Sequence, residues 1–141
     1  MPPKQLDNLA RLGKLKIEPG ARAEIDGLLR SSSARLKDAA DAELSPDSKF
    51  DLVYNAAHAA SLAAFRWHGF RSESRYLVFQ CLEHTLGISS QQWRVLDDAH
   101  RKRNLAEYEG DLDIDNALLD ALMRIAIEVL EKARALPPLE S

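Results

Sequence analysis

Apolar residues recur along this chain at three- and four-residue intervals, and no run of β-branched residues alternates strictly with polar ones. That period belongs to helices, where side chains three and four positions apart share a face, so almost no strand is expected. Lys4 to Lys16 reads as a short first helix, and Pro19-Gly20 as the turn after it. Ile25, Leu28, Leu29, Ser32, Leu36 and Ala39 outline one face of a second helix, with Ser31-Ser32-Ser33 weakening its middle. Ser45 sets a capping hydroxyl before Pro46 at a first helical position, and the helix so opened runs to Gly69, where a left-handed residue can close it. Alanines at 56, 57, 59, 60, 63 and 64 surround its axis, which predicts a central helix packed on several sides.

Ser72 is placed to cap a fourth helix, SESRYLVFQCLEHTL, ending at Gly87. Ser89 and Gln92 then form a capping box that opens a fifth helix, closed by Gly110. After the acidic run DLDID, Leu118, Leu119, Leu122, Ile125, Ala126, Val129 and Leu130 give the last helix a broad apolar stripe. Arg124, Glu128 and Lys132 are spaced for ion pairs on its wet side, while Asp113, Asp115 and Arg134 suit its dipole. The expected architecture is all-α: a single-domain, up-and-down bundle of five to six helices. Its expected divisions are an N-terminal segment with a short helix (1–20), the bundle (21–136) and a C-terminal tail (137–141), with Pro2-Pro3 and Pro137-Pro138 in the ends.

The length of 141 residues fits one domain, and 45% hydrophobic with 29% charged residues is enough to build a core. A net charge of −3 argues against a whole-surface polyanion binder, so any nucleic-acid site must be a local patch. Cys81 is the only cysteine, which rules out an internal disulfide and a thiolate zinc cluster and points to a reducing cytoplasm. The longest nearly uncharged stretch, LVYNAAHAASLAAF at 52–65, is too short and too polar to span a bilayer, and the first fifteen residues lack the apolar core of a secretory signal. No metal or cofactor is expected. The histidines at 58, 68, 84 and 100 show no His-x-x-x-His pair, DLDID lacks the glycine and glutamate of a calcium loop, and no glycine-rich phosphate loop is present.

Candidate chemistry lies on the fifth helix. From Arg94 to Asn104 it carries Arg94, Arg101, Lys102 and Arg103 against Asp97 and Asp98, whereas 105–115 hold five acids and no base. At 100° per residue, His100, Arg103, Asn104 and Glu107 fall within an arc of about 100°, with Tyr108 just beyond and Trp93 and Leu96 extending the face toward the N-terminus. Such a face can bind RNA: Arg103 through bidentate phosphate contacts, Asn104 through a base edge or phosphate, and Trp93 or Tyr108 by stacking, with Lys102 adding charge. Cations near a helix C-terminus also suit the dipole, so spacing leaves both a binding face and a solvated helix end open. His68, Arg71 and Arg75, flanking Gly69, form a second basic patch that reads as a solvated turn or the extension of an RNA track.

Two segments together, DLVYNAAHAASLAAFRWHGFRSES on the central helix and HRKRNLAEYEG on the fifth, resemble the HEPN superfamily of nucleotide-binding helical domains over roughly residues 22 to 135. The closest likeness is to small prokaryotic members with an Arg-Asn-x-x-x-Tyr motif, and the Tyr-x-Ala-x-His-Ala-like central helix corresponds to Tyr54, Asn55, Ala56, Ala57, His58 and Ala59. The resemblance implies a homodimer in which two motif helices face each other across a shared cleft. It further implies an RNA- or nucleotide-directed component of a toxin–antitoxin or stress and defence system, paired with a nucleotidyltransferase antitoxin. Many members resemble metal-independent endoribonucleases whose motif is an arginine followed four to six residues later by histidine. Here the arginine is Arg103 and the histidine position holds Tyr108.

That departure bears on catalysis. A histidine, with a pKa of about 6.5, can take the proton of a ribose 2′-hydroxyl, whereas a tyrosine at about 10 stays protonated. Catalysis by Arg103 and Tyr108 would then need His100, one helical turn before Arg103, or His58 on the central helix as the base, while Tyr54, Asn55 and His58 are otherwise expected to stand behind the site. Three readings remain open: a binding or regulatory protein, an active ribonuclease toxin, and a non-catalytic substrate-binding or dimerisation module.

Overall fold

The computed structural model describes residues 4–110 and 114–139. The chain forms α1 (Lys4–Arg11), β1 (Lys16–Ile17), α2 (Arg22–Ala39), α3 (Pro46–Trp67), β2 (Phe70–Arg71), α4 (Arg75–Gln80), α5 (Leu82–Thr85), α6 (Ser90–Glu109) and α7 (Asn116–Arg134). The protein is an all-α helical bundle, and its only described strands are a two-residue antiparallel ribbon pairing Lys16 with Arg71 and Ile17 with Phe70.

Helix ends follow the local chemistry of the sequence. Ser45 accepts from the Ser48 N–H ahead of Pro46, and Ser89 and Gln92 make the reciprocal capping box. Gly69 and Gly110 take left-handed backbone where α3 and α6 end. Asp115 caps α7 by accepting from the Leu118 N–H at 2.6 Å. The rest of the acidic run, 111–113, lies outside the described residues.

Three boundaries differ from expectation. The first helix stops at Arg11 rather than Lys16: Gly13 turns the chain with positive φ, Leu15 is buried, and Lys16 joins the ribbon. The fourth helix is capped by Ser74, whose hydroxyl accepts from Leu77, while Ser72 accepts from the Ser74 N–H at 3.1 Å and so shapes only the approach. The same helix breaks in two at buried Cys81. The serine run in α2 does not interrupt it, because Ser32, fully buried, donates to the Ala56 carbonyl of α3 at 2.7 Å.

α3 is the hub, packing against α2, α4, α5, α6, α7 and β2. Its alanines let neighbouring backbones approach, and the main core joins Phe50, Tyr54, Phe79, Leu82, Trp93, Leu96 and Leu122 around it. A second cluster, Leu6, Leu15, Phe65, Phe70, Val78 and Cys81, lies under α1. The ribbon is pinned by Arg66, nearly fully buried, which donates to Glu24 Oε1 (2.6 Å) and to the carbonyls of Glu18, Pro19 and Phe70. A Cβ on Gly20 would lie 2.4 Å from the Arg66 carbonyl oxygen, so only glycine lets the chain cross here. Past α7, the Pro137 carbonyl accepts from Trp67 Nε1 at 2.7 Å, which ties the start of the predicted tail to α3.

Candidate functional site

α6 meets the bundle through Trp93, Leu96 and Ala99, and this turns the polar face of its C-terminal half toward α3 and α4. Between the three helices lies a cleft of about 250 Å³ lined by Tyr54, Asn55, Arg75, His100, Arg103, Asn104 and Glu107. Four of its residues are the α6 arc expected from helical spacing, and the other three come from α3 and α4.

His100 stands at the centre of the cleft's hydrogen bonds. Its Nδ1 lies 2.7 Å from Tyr54 Oη, and its Nε2 3.3 Å from Asn104 Nδ2. With the Asn104 amide nitrogen toward the ring, Nε2 is the acceptor, and in that tautomer Nδ1–H donates to the Tyr54 oxygen. Burial lowers the His100 pKa below the usual histidine value, and the Arg75 charge lowers it further against the pull of Asp97. At neutral pH the ring is therefore a neutral base, whose Nε2 lone pair an incoming hydroxyl would take over from the Asn104 amide. Burial raises the Tyr54 phenol, opposed by Arg75 and Arg103.

Two guanidinium groups set the electrostatics. Arg103 Nη1 is 2.8 Å from Asp51 Oδ1, an oxygen shut off from solvent that makes no hydrogen bond of good geometry, so this ion pair is what compensates it. Arg75 lies over the Tyr54 ring, 5.5 Å from its centroid, and no carboxylate of the described residues forms an ion pair with it. Glu107, exposed, brings one negative charge to the rim. Asn55 spends its amide on the Asp51 carbonyl within α3 (2.9 Å), which orients its side chain. The arrangement can hold an anion between two cations and offer it neutral donors, with a proton acceptor alongside.

The remaining candidates lie elsewhere. Trp93 is only 7% exposed, donates through Nε1 to Glu83 Oε1 at 2.5 Å, and lines a different cavity with Gln5, Asn8, Leu9 and His84, so it does not stack in this cleft. Leu96 is core. Tyr108 does not line the cleft and is 89% exposed, and Lys102, half-buried, is also outside the lining. His58 packs edge-on against Phe79, and its pKa falls to about 4, through burial first and then Arg75 and His100. Tyr54 and Asn55, expected behind the site, form its wall.

The sequence does not single out Asp51, and it marks Arg75 only as part of the basic patch around Gly69. Of the basic patch around Gly69, Arg71 pairs with Glu18 and the His68 ring meets the Thr85 carbonyl, while Arg75 alone enters the cleft. Tertiary packing of α4 on α6 makes that difference.

No family model, no curated protein and no solved structure matches this chain. Among the described residues no group of three or more His, Cys, Asp or Glu side chains could hold a metal ion, and no helix is long and apolar enough to cross a membrane.

Proposed function

We propose that this cleft is a phosphate-binding site through which the protein engages RNA or a nucleotide, as a HEPN-like component of a toxin–antitoxin or stress and defence system partnered with a nucleotidyltransferase. The observation that carries the reading is the presence of Arg75 and Arg103 in one cleft beside the uncharged donors of Asn104 and Tyr54. On a chain with net charge −3, this is the local cationic patch a polyanion needs. The HEPN-like pairing of two motif helices has support in Leu105 and Tyr108, which stand exposed on α6 next to the cleft, where a second copy would cover them. Single-stranded RNA should bind and release as salt rises, since phosphate contacts displace counterions. Filter binding at two salt concentrations tests this. RNA retained by neither sample contradicts it.

The geometry of His100 favours a second reading, a metal-independent ribonuclease. Tyr108 is a poor base by its chemistry and lies outside the cleft, but His100 offers a neutral Nε2 one helical turn before Arg103. In that reading Nε2 takes the proton of a ribose 2′-hydroxyl, and Arg103 stabilises the charge that grows on the attacked phosphate. Incubating RNA with the protein in EDTA distinguishes the two. Cleavage lost in both Arg103→Ala and His100→Ala supports the nuclease, and intact RNA with the wild-type chain supports binding alone.

A further inference from the structure

The cleft's second cation has a consequence for which phosphate it takes. Arg103 arrives partly neutralised by Asp51 at 2.8 Å, whereas Arg75 reaches the cleft from a separate helix with a cation–π contact to Tyr54 and no carboxylate partner among the described residues. A half-buried guanidinium whose contacts are with the Tyr54 side chain and not with a carboxylate of the described residues keeps its full charge for an anion entering the cleft. The cleft, of about 250 Å³ and open on one side, has room for one phosphate with its sugar between the two guanidinium groups.

We propose that Arg75 and Arg103 of one protomer together grip a terminal phosphate, a phosphomonoester at the end of an RNA chain or on a nucleotide, in preference to a phosphodiester within a strand. The inference rests on the reading of the cleft as a phosphate site. A monoester presents three unesterified oxygens, enough for Arg75, Arg103 and the Asn104 amide at once, whereas a diester offers two. The monoester also carries close to two negative charges at neutral pH, which outweigh the opposing carboxylates of Glu107 and Asp51 better than one does. Arg75, held by its cation–π contact with Tyr54, is the discriminating residue, and Arg103 serves both kinds of phosphate.

Calorimetric titration with a trinucleotide carrying a phosphate at its 5′ end, at its 3′ end, or at neither tests this. One phosphorylated form should bind the wild-type chain roughly tenfold tighter than the unphosphorylated one, the size of one charged hydrogen bond. Arg75→Gln should weaken the phosphorylated form roughly tenfold more than the unphosphorylated one and so erase the preference, and Arg75→Lys, which keeps the charge, should restore part of it. Circular dichroism of each variant confirms an intact fold. Equal binding of all three trinucleotides by the wild type, or an Arg75→Gln variant that weakens all three alike, overturns the terminal-phosphate preference but leaves the cleft as an RNA site. If none of the three binds, or if Arg103→Gln changes nothing, the phosphate-site reading itself fails and this inference falls with it.

Discussion

Tyr54 Oη and His100 Nδ1 meet at 2.7 Å across 46 residues of sequence, and their rings stack 20° from parallel with centroids 6.2 Å apart. This one contact joins the central helix to the helix that carries the arginine, and it fixes which face of the imidazole looks into the cleft. A buried tyrosine needs a partner for its hydroxyl, and a histidine needs a second group to set its tautomer. Each supplies what the other lacks.

Removing the Tyr54 hydroxyl alone should therefore uncouple the two. Tyr54→Phe keeps the ring stacked on Phe50 and edge-on to Phe79 but leaves His100 Nδ1 without its partner, at a cost of about 1 kcal/mol in urea unfolding. His100→Ala should cost less in the Tyr54→Phe background than in the wild type. Strictly additive losses would show that the contact carries no coupling.

His58 makes stability depend on pH. Its folded pKa of about 4 lies below the value of about 6.5 in the unfolded chain, so the unfolded state binds more protons between the two. The stabilising contribution is present above pH 6.5 or so and is lost as pH falls toward 4, with a slope approaching 1.4 kcal/mol per pH unit at most, roughly. His68 and His100, also lowered, act in the same direction. Denaturant unfolding from pH 7 to pH 4.5 should show this decline, and His58→Gln should flatten part of it. An unchanged slope in that variant would exclude His58 as the source.

Gly20→Ala tests the crossing over α3. The added methyl meets the Arg66 carbonyl oxygen, a backbone atom with no freedom to withdraw, in the place where the Arg66 side chain also binds the Glu18 and Pro19 carbonyls. A loss of about 2 kcal/mol or more is expected by thermal unfolding. Gly27→Ala provides the contrast: a Cβ there meets only the end of the flexible Arg30 side chain at 3.8 Å, and in mid-helix the change should be neutral or stabilising.

Much of this was legible in the sequence because helix ends are written in short-range chemistry. Ser45-Pro46, the Ser89 and Gln92 pair, and the glycines at 69 and 110 each act within a few residues, and the structure uses all of them. The α6 arc of His100, Arg103, Asn104 and Glu107 was legible for a similar reason, since a helix fixes relative angle. Angle alone misplaced Trp93. It lies within the arc, yet ten residues before Arg103 is about 15 Å along the axis, which carries it to another cavity. Tyr108 fails in the opposite way, about 140° round the helix from Arg103 and turned out to solvent. Arg75 was legible only as one of three bases around Gly69, because its place in the cleft depends on how the chain reverses there and seats α4 on α6, a tertiary fact with no local signature. The break at Cys81 likewise has no glycine or proline to mark it.

The central claim is that the Arg103 cleft holds phosphate, and a titration of short single-stranded RNA into the metal-free protein, wild type against Arg103→Gln, tests it most directly. The expected result is saturable, salt-sensitive binding to the wild type that weakens roughly tenfold or more in the variant. Indistinguishable isotherms for two equally folded proteins would contradict the claim.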